Sequence, residues 1–194
     1  INSASGVELK NLLINSIRDG YFSGDDVLYI LRNADFYVSN FAYRTNQSDY
    51  FEAVRKFTYQ PKVYEGNEIE LDKAAPIQDI YKIEFEHQVG EQRYKLPYDL
   101  ESDGTKRFFG LAGLLTLLLK SPRLVLVDEL ETSLHPDLYE YFLLAFIKNS
   151  TQSQLLVSTH NRELLNNKEV FRNDAIWITE KNEEGATELY RVSD

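Results

Sequence analysis

Residues 124–136 read LVLVDELETSLHP, and this stretch decides the fold. The apolar run from Leu124 to Val127 is short and continuous, which is typical of a parallel strand covered on both faces. Pro136, a favoured first-turn residue, opens a helical stripe, and residues 155–157 form a second short apolar run. Strand, helix and strand in this order predict an α/β fold built on a βαβ unit with a right-handed crossover.

Further elements are predicted on either side of this unit. Before it, apolar spacing predicts helices over residues 7–18 and 25–34, an extended segment over 36–43, an alternating strand over 80–89 and a long helix over 102–119. After it, we expect a short helix near residues 162–165 and strands over 175–179 and 187–192. Residues 45–76 are expected to be irregular or hairpin-like.

Composition excludes several classes of site. The 194 residues contain 21 Lys and Arg against 31 Asp and Glu, a net charge of −10, which does not favour nucleic acid or anionic membrane as a partner. There are no cysteines, so disulfides, thiolate metal sites and cysteine nucleophiles are excluded. The longest apolar stretch is too short for a membrane-spanning helix. We expect a cytoplasmic protein.

Polar residues follow both short apolar runs. Asp128 and Glu129 follow the first, and Ser158, Thr159 and His160 follow the second. The carboxyl ends of neighbouring parallel strands share one crevice, where ligands of such sheets bind. There Asp128 can hold Mg²⁺ and Glu129 can deprotonate an attacking water. The alternative is a pair of solvated carboxylates at a strand end, with His160 in a structural role.

A second candidate site precedes the long helix, where residues 101–107 read ESDGTKR. The free amides at a helix N-terminus bind phosphate oxygens. The alternative is that Ser102 is an ordinary N-cap.

Four short motifs resemble those of ABC-type ATPases. Residues 102–105, 124–129, 132–135 and 158–160 are similar, in order, to the signature, the Walker B strand, the D-loop and the switch histidine. The resemblance extends over residues 80–166 and is greatest to SMC-like prokaryotic ATPases of restriction, abortive-infection and other phage-defence systems. It implies a helical or irregular region over residues 1–79, and the distal half of a P-loop NTPase domain, with a parallel sheet and flanking helices, over residues 80–194.

The resemblance also implies a role for each matched residue. Asp128 would be the Mg²⁺-linked aspartate, Glu129 the catalytic base and His160 the γ-phosphate switch. The signature residues Ser102, Gly104 and Thr105 would bind ATP held by the opposite subunit, and the D-loop residues Ser133, Leu134 and His135 would complete the nucleotide site. The active form would be a head-to-tail homodimer with two shared ATP sites, controlling an effector such as a nuclease or toxin subunit.

The sequence departs from the ABC pattern in three places. Glu101 and Asp103 stand where transporters carry Leu and Gly, and His135 stands where many relatives carry Asp. No Gly-x-x-x-x-Gly-Lys-Ser/Thr loop occurs in the 194 residues. We expect that loop upstream of Ile1.

Two other functions stay open. The missing phosphate loop is also compatible with a non-hydrolysing dimerisation module that meets nucleotide only through a partner chain. Asp128, His135 and His160 could instead hold the metal of a hydrolase, although His135 is expected at the start of a helix that leads away.

Overall fold

The structure is a computed structural model that describes residues 6–34, 36–45, 81–161 and 171–192. The expectations for residues 46–76 and 162–165, and the division at residue 79, lie outside these residues. The helices are α1 (Gly6–Arg18), α2 (Gly24–Asn33), α3 (Asp103–Lys120) and α4 (Pro136–Asn149). The strands are β1 (Val38–Thr45), β2 (Tyr81–Val89), β3 (Gln92–Pro97), β4 (Leu124–Val127), β5 (Gln154–Val157), β6 (Trp177–Lys181) and β7 (Thr187–Arg191).

The first two helices form as their sequences predict. Apolar residues of α1, among them Leu13 and Ile14, are buried. Helix α2 begins with a capping box in which Ser23 and Asp26 each accept a hydrogen bond from the backbone N–H of the other. This box satisfies amides that the first turn would otherwise leave without acceptors.

Strands β1, β2 and β3 form an antiparallel sheet in that order. The β2–β3 hairpin turns at Gly90, whose φ of 63° suits glycine, and β3 was not predicted from the sequence. Alternation in β2 buries Tyr81, Ile83 and Phe85 as expected. Val89, expected on the same side, is exposed because β2 has run past the core at its hairpin end.

Helix α3 lies at the centre of the hydrophobic core. Its buried Phe109 makes edge-to-face contacts with Phe41 and Phe85, at centroid distances of 5.1 and 4.9 Å. Helix α1 crosses α3 at Gly110 and Gly113, where an added Cβ would lie 2.4 Å from Leu9 and 2.5 Å from Leu13. The two glycines therefore permit a helix approach that no larger residue allows.

The βαβ unit is present, with one correction. Strands β4 and β5 pair in parallel, and α4 connects them. The side chains of Leu124, Leu126 and Leu156, however, are 63%, 50% and 59% exposed. The expectation of strands covered on both faces is therefore wrong for this chain. One face packs on the core through residues such as Val127, while the leucines of the other face are exposed in the part of the chain that the structure describes.

The C-terminal strands β6 and β7 form an antiparallel hairpin. Trp177, the first residue of β6, is 54% exposed, and the Arg191 guanidinium lies 5.9 Å from its ring centroid. Within the described ranges, no helix has the length and apolar character needed to cross a membrane.

Candidate functional site

The carboxyl ends of β4 and β5 meet, as the sequence predicts. Val127 pairs with Val157, and the ladder continues past the strands because the Ser158 N–H donates to the Val127 carbonyl at 3.0 Å. The Leu130 N–H in turn donates to the Ser158 carbonyl at 3.3 Å. These bonds place the segment after β4 directly beside the segment after β5.

A serine connects the two candidate acidic residues. The Ser158 hydroxyl donates a hydrogen bond to Asp128 Oδ1 and accepts one from the Glu129 N–H at 3.0 Å. Glu129 adopts a φ of 49°, in the left-handed region that non-glycine residues rarely occupy. Such strain persists where surrounding bonds impose it, and it clusters at functional sites.

The Glu129 carboxylate faces the predicted switch histidine. Its Oε1 lies 3.5 Å from His160 Nε2, and its Oε2 accepts a hydrogen bond from the Thr132 hydroxyl at 3.2 Å. The side chains of Glu129 and His160 are 44% and 87% exposed. Both therefore lie at a solvent-facing edge that a ligand can approach.

Glu131 belongs to this site, although the sequence did not reveal it. Its Oε1 accepts a hydrogen bond from the backbone N–H of His160 at 2.7 Å. Partial burial desolvates Glu131, and this effect alone would raise its pKa. Hydrogen bonds from the His160 amide, the Glu131 amide and the Thr159 hydroxyl outweigh desolvation, so the pKa of Glu131 is lowered. Sequence reasoning missed Glu131 because its partner is a backbone amide 29 residues away, which no side-chain pattern marks.

The start of α3 is a capped helix terminus. Ser102 is its N-cap and accepts a hydrogen bond from the Thr105 N–H at 3.0 Å, as the simpler alternative predicts. The cap satisfies the Thr105 amide, and Asp103, the first residue of the helix, is exposed. Glu101, just before the cap, is nearly buried and lies 2.5 Å from the His87 imidazole of β2.

The predicted D-loop packs against this terminus within the same chain. A Cβ on Gly104 would lie 3.2 Å from the Ser133 carbonyl oxygen, and Ser133 itself has a φ of 61°. Leu134 packs against the hydrophobic core. His135 is the N-cap of α4 and accepts a hydrogen bond from the Asp137 N–H at 3.4 Å.

The part of the chain that the structure describes contains no cluster of potential metal ligands. No group of three or more His, Asp or Glu residues there could hold a metal ion. Asp128, His135 and His160 do not form such a cluster, so the metal-hydrolase alternative lacks the ligand set that it requires.

Comparisons with known proteins agree with the fold. A family described as "AAA domain, putative AbiEii toxin, Type IV TA system" matches residues 3–166. A solved structure from work on the ATP-driven dimerization and DNA-stimulated activation of SMC ATPases is similar at a TM-score of 0.51 and 14% identity. That likeness covers 94% of this chain and 88% of the other, and it shows the fold alone. No curated protein matches.

Three observations agree on one class of protein. They are the parallel β4–α4–β5 unit, the acidic residues at its strand ends and the family match over most of the chain. This chain belongs to the AAA-domain family described as "putative AbiEii toxin, Type IV TA system", and it has the α/β fold of a P-loop NTPase.

Proposed function

We propose that this chain hydrolyses ATP as the distal half of an ABC-type ATPase domain. The observation that carries the proposal is the contact between Glu129 and His160, at 3.5 Å, beside the Asp128–Ser158 hydrogen bond. A base, a group that can contact phosphate and a carboxylate for Mg²⁺ thus share one exposed edge. Solvated carboxylates alone would not need a strained backbone at Glu129 or a serine that connects it to Asp128.

The residues present fit a nucleotide-bound magnesium ion. Mg²⁺ is usually held by one or two carboxylates together with substrate phosphates and water, and Asp128 offers one exposed carboxylate. Bound there, the ion would neutralise charge on the phosphates. Glu129 would accept a proton from the attacking water. His160 would donate a hydrogen bond to the γ-phosphate, and the Thr132 hydroxyl would help to orient the Glu129 carboxylate.

The start of α3 would bind the ATP held by a second subunit. The first-turn amides that the cap does not use, with the hydroxyls of Ser102 and Thr105, form the kind of helix terminus that binds phosphate oxygens. The Ser133 carbonyl of the D-loop lies 3.2 Å from where a Cβ on Gly104 would be, so a nucleotide at this terminus would lie close to the segment that follows Glu129. The proposed active form is a head-to-tail homodimer with two shared sites, and it is supported by the ATP-driven dimerization described for the similar SMC ATPase structure.

The phosphate loop would come from outside these 194 residues, in a lobe that precedes them in the same polypeptide. The dimer would then control an effector, such as a nuclease or toxin subunit, in phage defence. The effector is inferred from the resemblance to SMC-like defence ATPases; the family description names a "putative AbiEii toxin" and a Type IV system but no effector partner.

Glu129→Gln tests the proposal in the full-length protein. The amide keeps the shape of the side chain but cannot accept the proton, so ATP turnover should fall about a hundredfold or more. A stable dimer should accumulate in the presence of MgATP, measured by light scattering after size exclusion. Glu183→Gln, in the exposed β6–β7 turn, is the matched control and should behave as wild type. A wild-type protein that neither hydrolyses ATP nor dimerises with it would favour the non-hydrolysing module.

A further inference from the structure

We propose that Glu131 is a positioning residue that fixes the backbone at His160 and thereby sets where the imidazole meets Glu129 and a bound phosphate. The inference rests on the proposed function of His160. It assigns Glu131 a role that differs from those of the two acidic residues before it, because Glu131 acts through a backbone amide rather than on the nucleotide.

The hydrogen bond that carries this proposal is short and charge-assisted. The His160 N–H lies 2.7 Å from Glu131 Oε1, in the range of bonds between an amide and an ionised carboxylate. The second oxygen, Oε2, is shielded from solvent. The lowered pKa of Glu131 keeps the group ionised at neutral pH, where its bond to the amide is strongest.

His160 depends on its backbone for placement. Its imidazole is 87% exposed, so packing against neighbours contributes little to its orientation. The segment from Ser158 to Asn161 has no regular secondary structure. Glu131 holds this segment at residue 160, and the Tyr139 hydroxyl accepts a hydrogen bond from Asn161 Nδ2 at 2.5 Å one residue later.

Glu131 also lies in the turn that shapes the environment of Glu129. The Thr132 N–H donates to the Glu129 carbonyl at 3.0 Å, and the Leu134 N–H donates to the Glu131 carbonyl at 2.9 Å. A shift of this turn would therefore move Glu131 and the His160 backbone together.

Two variants separate this role from a general structural one. Glu131→Ala removes the acceptor, whereas Glu131→Gln keeps an oxygen that can accept the His160 N–H. Glu183→Ala, at an exposed turn, is the matched control. Two quantities are measured in the full-length protein: steady-state ATP hydrolysis, separated into kcat and KM, and amide hydrogen exchange at residue 160.

Glu131→Ala should speed exchange of the His160 amide about tenfold and lower kcat about tenfold with little change in KM. Glu131→Gln should stay within about threefold of wild type in both. Unchanged exchange at residue 160 in Glu131→Ala, or a Gln variant as impaired as the Ala variant, would overturn the proposal. If wild-type protein does not hydrolyse ATP, the proposed function fails, and exchange at residue 160 still decides whether Glu131 fixes this backbone.

Discussion

The hydroxyl of Ser158 accepts a hydrogen bond from the backbone N–H of Glu129 at 3.0 Å, across the junction of β4 and β5. The same hydroxyl donates to the Asp128 carboxylate, so one small side chain orders both acidic residues. Ser158→Ala should therefore lower ATP turnover about tenfold and the free energy of unfolding by about 1 kcal/mol. Ser158→Thr, which keeps the hydroxyl, should retain most of both. Equal loss in the two variants would show that the hydroxyl is not the cause.

The left-handed backbone at Glu129 predicts a conflict between stability and activity. A non-glycine residue in this region costs about 1 kcal/mol, and Gly does not pay this cost. Glu129→Gly should therefore leave the free energy of unfolding unchanged or raise it by up to about 1 kcal/mol, while ATP turnover is lost. Glu180→Gly, on β6 where φ is negative, should lower stability by about 1 kcal/mol. Chemical denaturation of both variants measures this difference, and a clear loss of stability in Glu129→Gly would contradict the strain argument.

The crossing of α1 and α3 predicts that alanine is not tolerated at Gly110. Gly to Ala within a helix gains about 1 kcal/mol from propensity, but a Cβ at this position would lie 2.4 Å from Leu9 Cβ. Overpacking of this kind costs about 1–3 kcal/mol, so we expect net destabilisation. Gly24→Ala, whose Cβ would meet Phe41 at an ordinary 3.4 Å, is the control and should be neutral or stabilising. Thermal unfolding of the two variants distinguishes them, and a stable Gly110→Ala protein would mean that the helices can separate at little cost.

The sequence predicted the elements whose signals are local. Periodicity identified α1, α2 and α3, and the two short apolar runs identified β4 and β5 with their parallel pairing. Strand β3 was missed because its residues are almost all exposed and carry no alternating apolar pattern. The open face of β4 and β5 was missed because a run of apolar residues does not show which neighbours will cover it.

The sequence also predicted which residues of the candidate site meet at one edge of the sheet, but not the hydrogen bonds that hold them there. Asp128, Glu129 and His160 lie at strand ends, and the topology of a parallel sheet is sufficient to bring them to one edge. Three other features depend on backbone geometry between segments about 30 residues apart. These are the bonds of Ser158 to both acidic residues, the bond of Glu131 to the His160 amide and the strained backbone of Glu129. No single-residue pattern encodes that geometry, so the structure was needed to find it.

The pair formed by His87 and Glu101 predicts strong energetic coupling next to the signature segment. The Glu101 side chain is only 7% exposed, and its Oε1 lies 2.5 Å from His87 Nε2. Removing either partner leaves the other poorly satisfied in a nearly buried place, so a double-mutant cycle with alanine should give a coupling of about 1–3 kcal/mol. The exposed pair Glu86–Arg93, at 3.3 Å, should give less than about 1 kcal/mol in the same cycle. Similar coupling in the two pairs would show that burial does not strengthen the first.

The ion pair between Asp26 and Lys120 predicts how stability depends on pH. Lys120 Nζ lies 2.7 Å from Asp26 Oδ2 and joins the start of α2 to the end of α3. The hydrogen bond from Lys120 is the largest influence and lowers the pKa of Asp26 below its usual 3.8; desolvation opposes it, and the bonds from Ser23 add to it. Because the folded pKa is lower than the unfolded one, the contribution is fully present above pH 3.8 and is lost as the pH falls through the folded value.

Asp26→Asn tests this assignment by denaturation at a series of pH values. The pair is partly exposed, so solvent screening limits its contribution, and we expect the variant to be less stable than wild type by about 1 kcal/mol at pH 7. The difference should shrink below pH 4 and should also decrease at high salt. Asp25→Asn changes the other acidic residue of the same first turn, whereas Lys120 pairs with Asp26. Its free energy of unfolding should therefore differ less from that of wild type at pH 7. A difference between Asp26→Asn and wild type that stays constant down to pH 2 would mean that the charge of Asp26 does not stabilise the contact between α2 and α3.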